Sequence, residues 1–154
     1  MSTVKKSGLP YEHATSGEAA LLELQKVLLN FGCSQFGTMQ DIEKGETILQ
    51  FKHRGKQVSL NVSWRGYATA YLKKHPYNSY CKLNEQNHEK RALEQGKIAV
   101  CSILRDWVKA QVTAIETGLM TFDAVFMPHM LLPSGERLVD YIGRQKLLED
   151  MEAE

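Results

Sequence analysis

Seven basic residues occur in one stretch of this chain that contains no acid. Between Thr47 and Asn84 there is no Asp or Glu, whereas the rest of the chain carries twelve Lys and Arg against eighteen acids. The formal net charge of +1 conceals this division. Clustered cations bind phosphate groups or acidic proteins, and charge asymmetry affects partners and association rates rather than fold. The basic stretch therefore holds the first candidates for a binding site.

Strand periodicity predicts which residues of the basic stretch share a surface. Residues 57–65 alternate polar and apolar side chains, so the apolar ones are predicted to face the core and the polar ones the other side of a sheet. The preceding strand adds Gln50 and Lys52 to that outer side, which we predict to be polar, basic and acid-free. Such groups contact nucleic-acid phosphates and sugars. The predicted nucleic-acid-binding residues are Gln50, Lys52, Arg54, Lys56, Ser59, Asn61, Arg65, Tyr67, Lys73 and Lys74.

Two other interpretations use the same charges. An acidic protein partner would bind these cations, and a solvated hairpin face would carry them without any function. The alternation directs Phe51 and Trp64 inward, which removes the large aromatics from the outer side. Bases would then stack only on tyrosines of the basic stretch, which are Tyr67, Tyr71, Tyr77 and Tyr80.

Motifs specific to catalysis or to metal binding are absent. The five histidines lack H-x-x-x-H or H-x-H spacing, and Cys33, Cys81 and Cys101 form no C-x-x-C pair, which predicts reduced, mostly buried thiols. Walker A, G-x-G-x-x-G and G-x-S-x-G are also missing. We therefore predict no metal, cofactor or catalytic residue and favour a non-enzymatic function. Catalytic groups that meet only in the fold are the alternative, and a deep pocket gathering His129, Asp123 or Glu116 would favour it.

The period of the apolar residues changes from about 3.6 to 2 and back, which predicts an α+β fold. One face of a three-stranded antiparallel sheet is expected to pack on the first helix and the long helix. Thr15 and Glu18 have the spacing of a capping box before the first helix. The predicted order begins with helix 16–31 and three strands within 35–65. From residue 66 a short helix or an extended strand follows, and the stretch is unassigned beyond Leu72 up to residue 84. A long helix 85–117, with Gly96 as a possible interruption, and short helices 121–126 and 137–151 complete the order. Leu138, Tyr141 and Ile142 are predicted to face inward.

One domain is predicted, at residues 15–150, preceded by a flexible tail at residues 1–14. No apolar run approaches the eighteen or so residues of a membrane span, and the N-terminus has no apolar h-region. We therefore expect a cytoplasmic protein without a membrane partner. Residues 98–115 are apolar around most of the helix circumference, which predicts a buried helix and allows a homodimer if one chain leaves part of it uncovered.

Residues 103–138 contain three short motifs in a fixed order. They are A-I-E-x-G at 114–118, T-F at 121–122 and H-x-L-L-P-x-G at 129–135. This run resembles a family of small uncharacterised proteins of phages and prophages, and the similarity extends over most of residues 31–142. The resemblance implies a phage or prophage setting inside a host cell and names no catalytic residue. Two functions fit that setting: an accessory DNA-binding protein of phage DNA metabolism, or a small anti-defence inhibitor that binds a host defence protein.

Overall fold

The α+β prediction is confirmed by a computed structural model, which describes residues 8–78, 80, 82–146 and 148. Its three strands form one antiparallel sheet in the order β1-β2-β3. The elements are α1 (Gly17–Phe31), β1 (Gln35–Asp41), β2 (Glu46–His53), β3 (Lys56–Ser63), α2 (Trp64–Lys74), α3 (Glu85–Glu116), α4 (Phe122–Phe126), a 3-10 turn (Met127–His129) and α5 (Leu138–Gln145).

Helix α1 begins and ends at residues whose backbone chemistry favours a helix terminus. The Ser16 hydroxyl accepts a hydrogen bond from the Ala19 amide at 3.1 Å, which satisfies one of the free N–H groups of the first turn. The capping box predicted from Thr15 is therefore one residue early. Gly32 ends the helix at φ +95°, a conformation that glycine adopts without steric cost.

The core lies between the sheet and the pair α1 and α3. Strand β2 alternates strictly between partly exposed and buried residues, with Leu49 and Phe51 on the buried side, and β3 adds Val58 and Leu60. Phe51 meets Phe126 edge to face, with ring centroids 5.3 Å apart. We call the sheet side that packs on α1 and α3 the inner face and the opposite side the outer face.

The stretch for which the sequence allowed a short helix or an extended strand forms the helix α2. The Ser63 hydroxyl accepts from the Gly66 amide at 2.9 Å and caps this helix, so Trp64 begins α2 instead of ending β3 as predicted. Trp64 is still buried. A Cβ atom on Gly96 would lie 2.5 Å from the Trp64 carbonyl oxygen, so this glycine permits the close approach of α2 and α3. It does not interrupt α3, whose 32 residues extend over about 48 Å.

The long helix α3 is covered on two sides, by α1 and by α2. Trp107 is its one large apolar residue with substantial exposure. We expected a homodimer if α3 left a large apolar surface uncovered, and α3 leaves no such surface. The homodimer itself stays a prediction. Among the residues that the structure describes, no helix has both the length and the apolar character needed to cross a membrane.

The last helix is shorter and less buried than predicted. It ends at Gln145 because Lys146 adopts a left-handed conformation at φ +52°. Residues 147 and 149–151 of the predicted helix lie outside the described part of the chain. Of the three residues predicted to face inward, Leu138 and Ile142 are partly buried and Tyr141 is exposed.

Residues 8–14 make specific contacts with α2 and α3, although the sequence assigned them to a flexible tail. The Tyr67 hydroxyl donates to the Pro10 carbonyl and the Tyr11 hydroxyl donates to Asp106, each at 2.6 Å. The Gln95 amide donates to the Ala14 carbonyl at 3.0 Å. The limits 1–14 and 15–150 stay predictions, and residues 1–7 lie outside the described part of the chain.

Replacing Gly96 tests the close contact between α2 and α3. Because the added methyl group would collide with the Trp64 backbone, we expect Gly96→Ala to lower the free energy of unfolding by about 1–3 kcal/mol. Gly143→Ala is the matched control, since nothing lies within 4 Å of a Cβ atom there and alanine favours the helix by roughly 0.5–1 kcal/mol. Urea denaturation of both variants measures the difference. A Gly96→Ala protein as stable as Gly143→Ala would contradict the tight contact.

Candidate functional site

The structure distributes the predicted binding residues over three places. Four lie on the outer face, namely Gln50, Lys52, Ser59 and Asn61. Two lie at the β2–β3 turn, Arg54 and Lys56, and four lie on α2, Arg65, Tyr67, Lys73 and Lys74. The outer face and the β2–β3 turn are adjacent, whereas α2 begins at the other end of the sheet, beside the β1–β2 turn. The ten residues therefore do not form one continuous surface.

The outer face is not acid-free. The strand register aligns Glu46 with Asp41 on one side and with Ser63 on the other, so two carboxylates lie at one end of this face. The prediction was wrong because β2 begins at Glu46, one residue before the acid-free stretch starts, and because β1 contributes an acid of its own.

Hydrogen bonds already occupy part of the outer face. The Gln50 amide donates to the Ser59 hydroxyl at 3.4 Å, which in turn donates to Asn61 Oδ1 at 3.1 Å. The Asn61 amide then donates to Glu46 Oε2 at 3.3 Å. Ser59 and Asn61 therefore connect neighbouring side chains, and this end of the face is polar with a negative charge.

The opposite end of the outer face is polar with a positive charge. Its last row consists of Gln35, Lys52 and Gln57, and Gln50 lies in the next row. These side chains surround a depression of about 300 Å³, which is open because Gly37 contributes no side chain. Within the described part of the chain, Lys52 makes no ion pair. An ammonium group and several amide groups therefore remain available to a ligand.

The β2–β3 turn adds one more free cation. Arg54 and Gly55 both have positive φ, +49° and +82°, as the two central residues of a tight hairpin turn require. Arg54 is exposed, and it too makes no ion pair among the described residues. Lys56 is engaged, because its ammonium group pairs with Asp123 and lies 5.9 Å from the centre of the Phe122 ring.

Two of the predicted residues on α2 hold the fold together. The Arg65 guanidinium donates to the carbonyls of Glu43 at 2.6 Å and Ile42 at 2.9 Å, which braces the β1–β2 turn. Tyr67 donates its hydroxyl to the Pro10 carbonyl. Lys73 and Lys74 are exposed in the last turn of α2, where positive charge complements the helix dipole.

A pocket of about 520 Å³ beside the β2–β3 turn contains Glu116 and Asp123, two of the three residues named for a dispersed active site. His129 does not line it, and the His129 ring lies 6.0 Å from that of Trp107. The Thr121 hydroxyl in the pocket accepts from the Ala124 amide as a helix cap. Asp123 pairs with Lys56, and His53 and Arg54 complete the polar part of the lining.

His53 is the last residue of β2 and not part of the turn that follows it. It lies on the inner face with its ring stacked on Phe31 at 4.1 Å and on Phe122 at 5.1 Å. The signal was available, since residue 53 continues the inward alternation of Leu49 and Phe51. Its Nδ1 atom is buried without a hydrogen-bond partner in the described structure. Burial, and to a lesser extent the charge of Arg54, lowers the pKa of His53.

The other groups with metal or redox chemistry are dispersed. Cys33 and Cys101 are buried free thiols, and burial raises the pKa of both, that of Cys33 to about 11. Cys81 lies outside the described residues. In the parts of the chain with assigned positions, no three His, Cys, Asp or Glu residues are arranged to hold a metal ion.

The lowered pKa of His53 predicts a pH-dependent stability. In the unfolded chain a histidine has a pKa near 6.5, and in the folded protein the pKa of His53 is lower. Neutral His53 therefore contributes its full stability above about pH 6.5. This contribution is lost as the pH falls from there through the folded-state pKa, because the unfolded chain binds the proton more readily. His53→Phe keeps a ring in contact with Phe31 and Phe122 but cannot be protonated. We expect it to lose less free energy of unfolding than the wild type between about pH 7 and about pH 5. Urea denaturation at both pH values measures this.

His13→Gln is the control for that measurement, because the His13 side chain is 93% exposed. Some pH dependence will remain in the His53→Phe protein, since burial also lowers the pKa of His129. If the free energy of unfolding of His53→Phe changes with pH in parallel with that of the wild type, His53 contributes nothing to the pH dependence of stability.

No protein-family model matches this chain, and no curated protein or solved structure does so either. The similarity to phage and prophage proteins therefore stays a prediction, and the function must be inferred from the geometry of the site.

Proposed function

We propose that this protein is a non-enzymatic accessory protein of phage DNA metabolism, acting in the host cytoplasm, which binds nucleic acid at one end of its sheet. The binding site is the basic corner, which we define as Gln50, Lys52, Arg54 and Gln57. One observation carries the proposal: Lys52 lies among glutamine side chains on the outer face, Arg54 follows in the β2–β3 turn, and neither makes an ion pair among the described residues.

The composition of the basic corner suits the backbone of a nucleic acid. Ammonium and guanidinium groups neutralise phosphates, and glutamine amides donate to phosphate and sugar oxygens. Three of the four tyrosines named for base stacking have other partners, since Tyr67 contacts Pro10, Tyr71 packs on His75 and Tyr77 lies 5.9 Å from the His88 ring. The expected binding is therefore to the phosphate backbone, with little preference for sequence.

The number of free cations predicts the salt dependence of binding. Two cations neutralise about two phosphates, so the logarithm of the duplex binding constant should fall against the logarithm of salt concentration with a slope of about −2. In the variant Lys52→Gln/Arg54→Asn the slope should approach zero and binding at low salt should be lost. Asn is chosen at position 54 because it tolerates positive φ. Fluorescence anisotropy with labelled single- and double-stranded DNA and RNA across a salt series measures both quantities.

The matched control is Lys73→Gln/Lys74→Gln, which removes two exposed cations from α2 and leaves the basic corner intact. This variant should bind like the wild type. If it loses as much affinity as Lys52→Gln/Arg54→Asn, binding follows total charge and the basic corner is not the site. If the wild type binds none of the four nucleic acids at low salt, the proposed function is wrong.

Binding of a host defence protein is the second candidate function, and an apolar groove favours it. This groove, of about 500 Å³, lies between α4 and α5 and is formed mainly by Met127, Pro128, Leu138, Val139 and Ile142. Exposed apolar grooves of this kind accept apolar side chains of a partner protein. The Met127 thioether can adapt to different partner shapes.

A charge placed in this groove separates the two candidate functions. Val139→Asp should abolish a stable complex with a host protein, detected by affinity capture and mass spectrometry, and should leave nucleic-acid binding unchanged. Leu119→Asp is the control, because Leu119 is also exposed but lies outside the groove. A host complex that survives Val139→Asp would exclude the groove as its docking site.

A further inference from the structure

We propose that two copies of this chain associate through β1, antiparallel and centred on Thr38, to form a continuous six-stranded sheet. Strand β1 is at one edge of the sheet, and no other described strand pairs with its free side. An edge strand directs every second N–H and C=O group outward, ready to pair with another strand. The other edge is partly covered, because the Leu131 amide donates to the Gln57 carbonyl at 2.8 Å.

The alternation of side chains restricts the register of this pairing. Residues of the outer face must lie beside residues of the outer face in the second copy, or the inner apolar side chains would be exposed. Centring the contact on Thr38, the middle residue of Gln35–Asp41, pairs all seven residues of β1. It places Gly37 opposite Met39 of the second copy, and Gln35 opposite Asp41.

The sizes of the opposed residues are complementary. Met39 is 59% exposed, which is unusual for a large apolar side chain at the centre of a strand. Gly37 leaves the depression on the outer face open. In the proposed register each Met39 fills the space above Gly37 of the other copy, and symmetry repeats this contact. One arrangement therefore explains both the exposed methionine and the empty space beside it.

The charges are complementary in the same register. Lys52 lies beside Gln35, and Glu46 lies beside Asp41, in rows that cross the outer face. In the dimer the row containing Lys52 continues into the row containing Asp41 and Glu46 of the second copy. The positive end of each outer face therefore meets the negative end of the other, and like charges are kept apart.

The inner side of the β1 edge offers apolar surface to the same contact. A groove of about 400 Å³ lies between α1 and β1, with Leu21, Leu22 and Phe36 among its lining residues. Leu22 is 61% exposed although it is on a helix that packs on the core. A second strand beside β1 would cover this groove, as edge addition does in other sheets.

The experiment is sedimentation equilibrium of the full chain over a range of concentrations. We expect the wild type to approach about 35 kDa, twice the 17.5 kDa of one chain, and Met39→Asp to remain at the mass of one chain. Leu119→Asp, which also places a charge at an exposed leucine, should dimerise like the wild type. If the wild type stays at the mass of one chain at every concentration, the proposal is wrong. This holds also if the β1 edge pairs with a strand of another protein, because the proposal requires a second copy of this chain.

Two substitutions at one exposed position test the register even if Met39→Asp fails to fold. Gln35→Lys places a cation opposite Asp41 of the second copy, twice per dimer, and should lower the dissociation constant about 2- to 30-fold. Gln35→Asp places like charges opposite each other and should raise it similarly. Equal dissociation constants for both variants, or a change in the reverse direction, would overturn the register. Sedimentation of the protein alone involves no nucleic acid, so the outcome of this test is independent of the proposed function.

Discussion

Burial of the inner face of the sheet against α1 and α3 is the contact on which the rest of the molecule depends. Leu49, Phe51 and Val58 are almost fully buried there, and Phe126 closes the core from the C-terminal side. Each such side chain contributes on the order of 1.5–3 kcal/mol when it is removed from water. Because one side of every strand serves this burial, polar and charged side chains of the same strands lie on the outer face.

The same constraint decides which basic residues remain free to bind a ligand. Arg65 is in the basic stretch, but α2 begins beside it, and its guanidinium serves the carbonyls of the β1–β2 turn. Lys56 meets Asp123 because α4 packs near the end of the sheet. Lys52 and Arg54 keep their charges unpaired among the described residues, and Arg54 also lines the pocket that contains Glu116 and Asp123. The proposed binding site is therefore smaller than the basic stretch.

The two proposals meet at the depression beside Gly37. Dimer formation pairs the backbone of the β1 edge and places Met39 of the second copy in this depression, whose lining includes Gln50, Lys52 and Gln57. Nucleic-acid binding uses the charges of Lys52 and Arg54, and Arg54 extends that contact into the β2–β3 turn, beyond the depression. A dimer would present two basic corners, and two linked sites hold a long ligand more strongly than either site alone.

The order of elements was determined by the sequence, because period-2 and period-3.6 patterns reflect local geometry that each segment has by itself. Thus helix α1, the three strands and the long helix were predicted close to their limits, whereas α2 was left open between a short helix and an extended strand, since its helix signal is weak and Trp64 continued the strand alternation. Tertiary structure alone decided the site. The pairing of Lys56 with Asp123, the alignment of Asp41 with Glu46 and the stacking of His53 on Phe31 and Phe122 each join residues from separate elements. Sequence spacing does not reveal such contacts, because they arise only when the elements pack together.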